Sequence, residues 1–173
     1  MIALKAIVLQ IYWYLAVYYG HAWNDIIYLF LTAVLFALNI YFYELKISIK
    51  KFFVFIFSFS LFGLLQDNFL MSVNIFRFPE GYYPFWVNSL FIVFLLYYGD
   101  IFYKFRNMNF CLLAFIGGLG GAFAYWSGAK LGGMVILADI KIFLASLFIS
   151  WALFFPISLK LYYRRIKLDF RSV

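Results

Sequence analysis

The sequence is short of the residues that most enzymes and metalloproteins rely on. It holds one cysteine and one histidine, and only 12% of its residues are charged. A lone cysteine, Cys111, excludes an intrachain disulfide and a cysteine-built metal centre. A lone histidine, His21, excludes a multi-histidine site, so neither a metal nor a bound cofactor is expected. Phosphate-binding signatures are missing too. No Gly-Lys-Ser/Thr loop occurs, and Gly118-x-Gly120 is followed by Phe123 where a dinucleotide fingerprint needs a third small residue. No proline- or serine-rich linker and no low-complexity polar tract divides the chain, so 1–173 reads as a single domain.

What the sequence has instead is apolar bulk. Hydrophobic residues make up 68% of the chain and aromatic residues 26%, against roughly 45–50% apolar in a typical soluble domain. A domain of this length cannot hide such an excess in a core, because much of its surface would still face water. Lipid must be the solvent for most of that surface. A spanning helix needs about 20 mostly apolar residues, and polar breaks divide the chain into about six such stretches, near 6–20 (with a start as early as 2), 26–43, 52–75, 83–102, 110–126 and 134–162. Strands are disfavoured because the period-2 polar alternation of a membrane barrel is missing. The expected fold is an all-α, polytopic transmembrane helix bundle of about six spans.

Charge orients the bundle. The formal net charge is +7, and its distribution matters more than its size. Lys46, Lys50 and Lys51 fall between the second and third spans, Lys104 and Arg106 between the fourth and fifth, and a basic tail over 160–173 follows the sixth. The alternate loops hold only Arg77 and Lys130, with Lys141 close by. By the positive-inside rule both termini are cytoplasmic (N-in/C-in), as an even number of spans requires. Lys5, the apolar run after it and Gly20-His21-Ala22 loosely imitate a cleavable signal peptide. Tyr18 and Tyr19 crowd that site and suit an interfacial belt instead.

Polar residues inside a membrane are the default functional candidates, and here they gather toward the outer side. His21, Asn24 and Asp25 occupy the first external turn; Gln66, Asp67 and Asn68 lie late in the third span; Asn88 opens the fourth. Tyr125, Trp126 and Lys130 mark the end of the fifth span, and Asp139 with Lys141 the start of the sixth. Asp67 is central. Ser60, Gly63, Asp67 and Asn74 recur at helical spacing as one small-and-polar stripe, which suits a helix interface or a wet cavity rather than lipid. A carboxylate at that depth needs a partner, water or a proton, and Lys130, Lys141 and His21 are the expected neighbours. A structural role in fixing helix register is the plainer reading. For Asp25 and Asn24 it is helix capping, and for His21 a helix-end or headgroup contact.

The densest pattern is the run of glycines from Gly117 to Gly133. Gly117-x-x-x-Gly121 and Ala124-x-x-x-Gly128-x-x-x-Gly132 are spacings that let helices approach closely in lipid. Lys130 is placed to reach an anionic headgroup. The segment Gly121-Ala122-Phe123-Ala124-Tyr125-Trp126-Ser127-Gly128-Ala129-Lys130-Leu131-Gly132 resembles the signature of a family of small bacterial inner-membrane proteins of unknown function. Gly63-x-x-x-Asp67 and Tyr83-Pro84-Phe85-Trp86 extend the resemblance, while Ala122 stands where members often carry proline. The resemblance implies a multi-pass protein of the bacterial inner membrane with no established activity, from a family whose genes often accompany genes for membrane-lipid modification.

In the tail, Lys160, Arg164, Arg165, Lys167 and Arg171 alternate with aromatic and aliphatic residues. Beside a cytoplasmic leaflet that pattern anchors the chain to anionic lipid, and nucleic acid is not an expected partner. Tyr18-Tyr19-Gly20 and Tyr97-Tyr98-Gly99 hint at an inverted repeat, but three matching residues in an aromatic-rich chain are explained by chance. Three functions follow as expectations. The first is lipid or amphiphile handling at an outer polar site, with Asp67 central and Asn88, Tyr125 and Lys130 orienting a headgroup; catalysis is not favoured. The second is a small-solute transporter or capture subunit. The third is a non-catalytic partner, joining another protein or its own copy through the glycine ridge.

Overall fold

A segment that is apolar on every side has no amphipathic face to hold it against a sheet, and in lipid its backbone must satisfy itself. Helix is the local solution, and the sequence takes it throughout. The computed structural model describes residues 2–20, 22–23, 25–43, 49–105 and 107–166. Six helices dominate: α1 (Ile2–Tyr19), α2 (Asp25–Tyr43), α3 (Ile49–Ser72), α4 (Phe85–Lys104), α5 (Phe110–Lys130) and α6 (Ile140–Ile166). Among the described residues two stretches are long and apolar enough to cross a membrane, Phe110–Lys130 and Ile140–Leu161, while Asp25–Leu38 and Phe85–Tyr97 are shorter apolar helical stretches. Large apolar side chains face outward along the bundle, among them Ile26, Phe30, Phe57 and Phe123. Patches of that kind are rarely left to water.

Helix α4 sits among α1, α2 and α3, and α5 and α6 form the most intimate pair; α3 joins the two groups by packing on both α4 and α6. Glycine sets the closeness of α5 to α6. A Cβ at Gly117 would strike Phe155, one at Gly118 would come within 2.8 Å of the Phe148 ring, and one at Gly121 would enter the Trp151 indole. Gly128 is also buried, and Ala124 half-buried. The ridge over Gly117 and Gly121 is therefore filled by α6 of the same chain. Gly132 serves another purpose, described next. On α3 the same device operates once, where Gly63 admits the Phe91 ring of α4.

Both helices that end near Asp67 stop the same way. Asn74 has φ +58° and Gly132 φ +89°, the left-handed conformation that closes a helix C-terminus. Ile75 N–H bonds Leu70 C=O at 3.0 Å and Asn74 N–H bonds Met71 C=O at 3.0 Å; Gly133 N–H bonds Gly128 C=O at 3.0 Å and Gly132 N–H bonds Ala129 C=O at 3.1 Å. These are paired Schellman caps. The chain leaves each of them into a two-residue strand, β1 (Phe76–Arg77) and β2 (Val135–Ile136), and the two pair antiparallel with Phe76 opposite Ile136. Leu137 and Ala138 N–H add bonds to Ile75 C=O at 3.1 and 3.2 Å. Strands were not expected, and this ladder arises where two caps deliver extended backbone side by side. Asn74 consequently leaves the polar stripe of α3 and lies exposed at the turn.

Side-chain caps start the later helices. Asn109 Oδ1 accepts from Cys111 N–H at 2.7 Å, and Asp139 Oδ1 from Lys141 N–H at 2.8 Å, each satisfying an otherwise unpaired donor. Observed ends differ from the expected ones by a few residues, most at α5, which runs one turn past Trp126 to Lys130, and at α6, which begins only at Ile140 because Met134–Asp139 is spent on β2 and the cap.

The tight α5–α6 contact gives a direct test. Gly121→Ala forces Trp151 to move and is expected to cost about 1–3 kcal/mol. Gly120→Ala, which meets open space, should be neutral or stabilise by up to about 1 kcal/mol. Unfolding in detergent measures both, and equal stability of the two variants contradicts the packing.

Candidate functional site

The polar residue most at odds with its surroundings is Asp67. It sits near the C-terminal end of α3 and is wholly buried, at 0% exposure. Ser60, Gly63 and Asp67 share a buried face of the helix, as spacings of three and four place them. Its partner is Tyr125 on α5, whose hydroxyl lies 2.6 Å from Oδ1 and 2.8 Å from Oδ2 and donates to the carboxyl group. Aromatic rings pack on Tyr125. Phe76 of β1 meets the Tyr125 ring edge-on at 5.8 Å, and Trp151 of α6 does so at 6.3 Å.

Hydrogen-bonding capacity around this pair is not used up. Among the described residues the Tyr83 hydroxyl is buried without a hydrogen-bond partner, as is Ser60 Oγ two turns away on α3; the Gln66 amide and Trp151 Nε1 make no well-formed hydrogen bond, although Gln66 lies near enough to act on Asp67 and Trp151 on the Tyr125 hydroxyl. Tyr83 stands on the 78–84 loop outside the helices. Burial, and after it the negative charge of Asp67, pushes its phenol well above the usual tyrosine range. Buried polar atoms are ordinarily paired, so an unpartnered phenol and two poorly satisfied side chains beside one carboxyl mark the place as unusual.

A second buried network links α1, α2 and α4. Tyr12 donates to Ser89 Oγ at 2.8 Å and lies 3.1 Å from Thr32 Oγ1, while Ser89 donates to Trp86 C=O at 2.6 Å. Every hydroxyl here has a partner, which suits a structural joint. Among the described residues no group of three or more His, Cys, Asp or Glu side chains could hold a metal.

The expected outer belt is only partly gathered. Asp67, Tyr125 and Gln66 meet. Asn68 points outward on α3 and returns its amide to Leu64 C=O at 2.7 Å. Asn88 is half-buried on α4, and Asp25 is exposed in the first turn of α2. Lys130 and Lys141 do not pair with Asp67. Both are exposed, and Lys130 Nζ lies 6.0 Å from the Trp126 ring centre. The reason is direction: each lysine sits at a helix end where its long stem reaches water, while the Tyr125 hydroxyl reaches Asp67 without dehydrating a second charge. His21 and Asn24 fall outside the described residues. So do Lys167 and Arg171 of the tail; Lys160 is exposed with Nζ 4.9 Å from the Phe110 ring centre, and the backbone of Arg164 and Arg165 continues α6. Lys5, set down as part of a signal-like flank, is buried on α1.

Sequence reading missed Trp151, and it noticed Tyr83 only inside a motif. It also missed the Tyr12–Ser89–Thr32 joint. No periodicity announces them, because each contact links a different pair of helices. The separation of the lysines from Asp67 yields a prediction. Lys130→Ala and Lys141→Ala should each change stability by less than about 1 kcal/mol. A loss above about 2 kcal/mol on urea or SDS titration would mean an ion pair with the buried carboxylate.

No curated protein and no solved structure matches the chain. One family model does, over residues 2–157, a range that takes in Asp67, Tyr125, Tyr83 and Trp151 together. The chain belongs to the family described as "Protein of unknown function (DUF2878)".

Proposed function

We propose that this is a multi-pass protein of the bacterial inner membrane, with about six spans and both termini cytoplasmic, which binds a membrane lipid or amphiphile through its polar headgroup. The binding centre is Asp67 with Tyr125, near the outer leaflet, and the role is one of handling rather than catalysis. The observation that carries this reading is the wholly buried Asp67 with a neutral phenol as partner, beside a Tyr83 hydroxyl with no partner among the described residues and the poorly satisfied side chains of Gln66 and Trp151. A headgroup carrying hydroxyl or amide groups would satisfy those atoms, which burial otherwise leaves at a cost of about 1–3 kcal/mol each.

Two further features support the membrane setting. Outward-facing Phe, Leu and Ile side chains suit acyl chains, and the basic loops and tail favour the cytoplasmic face. Lys160, Arg164, Arg165, Lys167 and Arg171 would then hold the tail to anionic headgroups, at about 1 kcal/mol for each residue near the surface.

The test is the lipid that travels with the protein. Wild-type protein purified in mild detergent should retain one lipid class at a stoichiometric level by mass spectrometry. Asp67→Asn, which keeps an acceptor for Tyr125, should lower that class several-fold. A retained-lipid profile identical in wild type, Asp67→Asn and Tyr83→Phe rejects the reading.

A further inference from the structure

A second polar place lies where the α1–α2 turn meets the loop before α4, apart from Asp67. Here Phe78 C=O accepts from Gly81 N–H at 3.0 Å, closing a turn with Pro79 at its second position, the position proline favours. That turn presents Glu80. Trp86 Nε1 donates to Glu80 Oε1 at 3.3 Å, and the Trp86 indole is fixed because a Cβ at Gly20 would come within 2.6 Å of it. The other carboxylate oxygen, Oε2, is buried with no partner among the described residues.

Tyr28 of α2 shows the same deficit independently. Its side chain is 1% exposed and its hydroxyl has no partner among the described residues, and its ring lies against Trp23 of the turn whose Gly20 abuts Trp86, the residue bonded to Glu80. Rings continue outward from it. Trp23 lies 5.9 Å from Tyr28, Tyr19 stacks on Trp23 at 5.0 Å, and Phe78 meets Trp86 at 5.7 Å. The site has an entrance, since Glu80 is only half-buried and Gly81 beside it faces open space.

The chemistry of these groups selects an occupant. A carboxylate oxygen only accepts hydrogen bonds, and a phenol oxygen offers lone pairs beside its one proton. Electron-rich ring faces attract cations and do not attract anions. An anion would be repelled by Glu80. We propose that Glu80, Tyr28 and the indoles of Trp86 and Trp23 form a binding site for an organic ammonium group, the chemistry shared by an ethanolamine lipid headgroup and a free primary amine. In its lipid form this inference rests on the membrane-lipid setting of the reading above and adds a headgroup site separate from Asp67; in its free-amine form it stands alone.

Full-length protein in detergent is titrated calorimetrically with short-chain phosphatidylethanolamine, short-chain phosphatidylglycerol and ethanolamine. The ethanolamine lipid should bind at least tenfold more tightly than the glycerol lipid, or ethanolamine itself should bind. Glu80→Gln should weaken that binding at least tenfold, and Tyr28→Phe several-fold. Ethanolamine matching its lipid assigns the site to free amines; a lipid that binds where ethanolamine does not assigns it to the leaflet. If Glu80→Gln fails to fold, Tyr28→Phe decides. Unchanged affinity in the folded variants, or no preference for the amine-bearing ligands, overturns the proposal. Unchanged ethanolamine-lipid affinity in Glu80→Gln, alongside an altered lipid complement in Asp67→Asn, removes this inference alone; the reverse pattern removes the earlier reading alone.

Discussion

A carboxyl group with no access to water must be paired or neutral, and in this bundle that constraint falls on Asp67 and is met by one phenol. The Asp67–Tyr125 hydrogen bond ties the end of α3 to α5 across a largely apolar interior. Because α5 is locked to α6 through Gly117, Gly118 and Gly121, the bond also fixes α3 relative to the whole α5–α6 pair. Displacing α3 or α5 by an ångström would break that bond and leave the buried carboxyl without its phenol partner.

The backbone above the pair is arranged to keep it covered. Asn74 and Gly132 turn two helix ends through left-handed conformations, and the chain emerges from both in register to form β1 and β2. Phe76 of β1 is 0% exposed and rests on the Tyr125 ring. Two caps, a short ladder and one phenylalanine thus close the end of the bundle over its most polar contact. Glu80 shares the 78–84 loop with Tyr83, while Tyr28 comes from α2, so the two polar places meet along one loop but draw on different helices.

Much of the helical plan was legible in the sequence because composition alone dictates it: a chain so apolar and so evenly broken by polar turns has few alternatives to helices. Asp67 stood out for the same reason, as a charge in an apolar run. Its partner did not follow from opposite charge. Lysines at helix ends are drawn to water, and a phenol one helix away is invisible to spacing rules. The glycine spacing announced close approach but not the surface approached, and Gly132, matched to the ridge by its interval, owes its identity to a left-handed φ. The strand pair could not be foreseen from two-residue segments with no alternation to read. Trp151 and the Tyr12–Ser89–Thr32 joint depend on packing order, which no single helix encodes.

The arrangement of α3, α5 and α6 depends most on the coupling between Asp67 and Tyr125, and a double-mutant cycle measures it. Asp67→Ala, Tyr125→Phe and the double variant, compared by reversible unfolding in detergent, should show an interaction energy of about 1–3 kcal/mol, with the double variant less damaged than the sum of the singles. Additivity within about 0.5 kcal/mol would mean that the two side chains do not act on one another, and would contradict the bond on which the arrangement of α3, α5 and α6 is argued to depend.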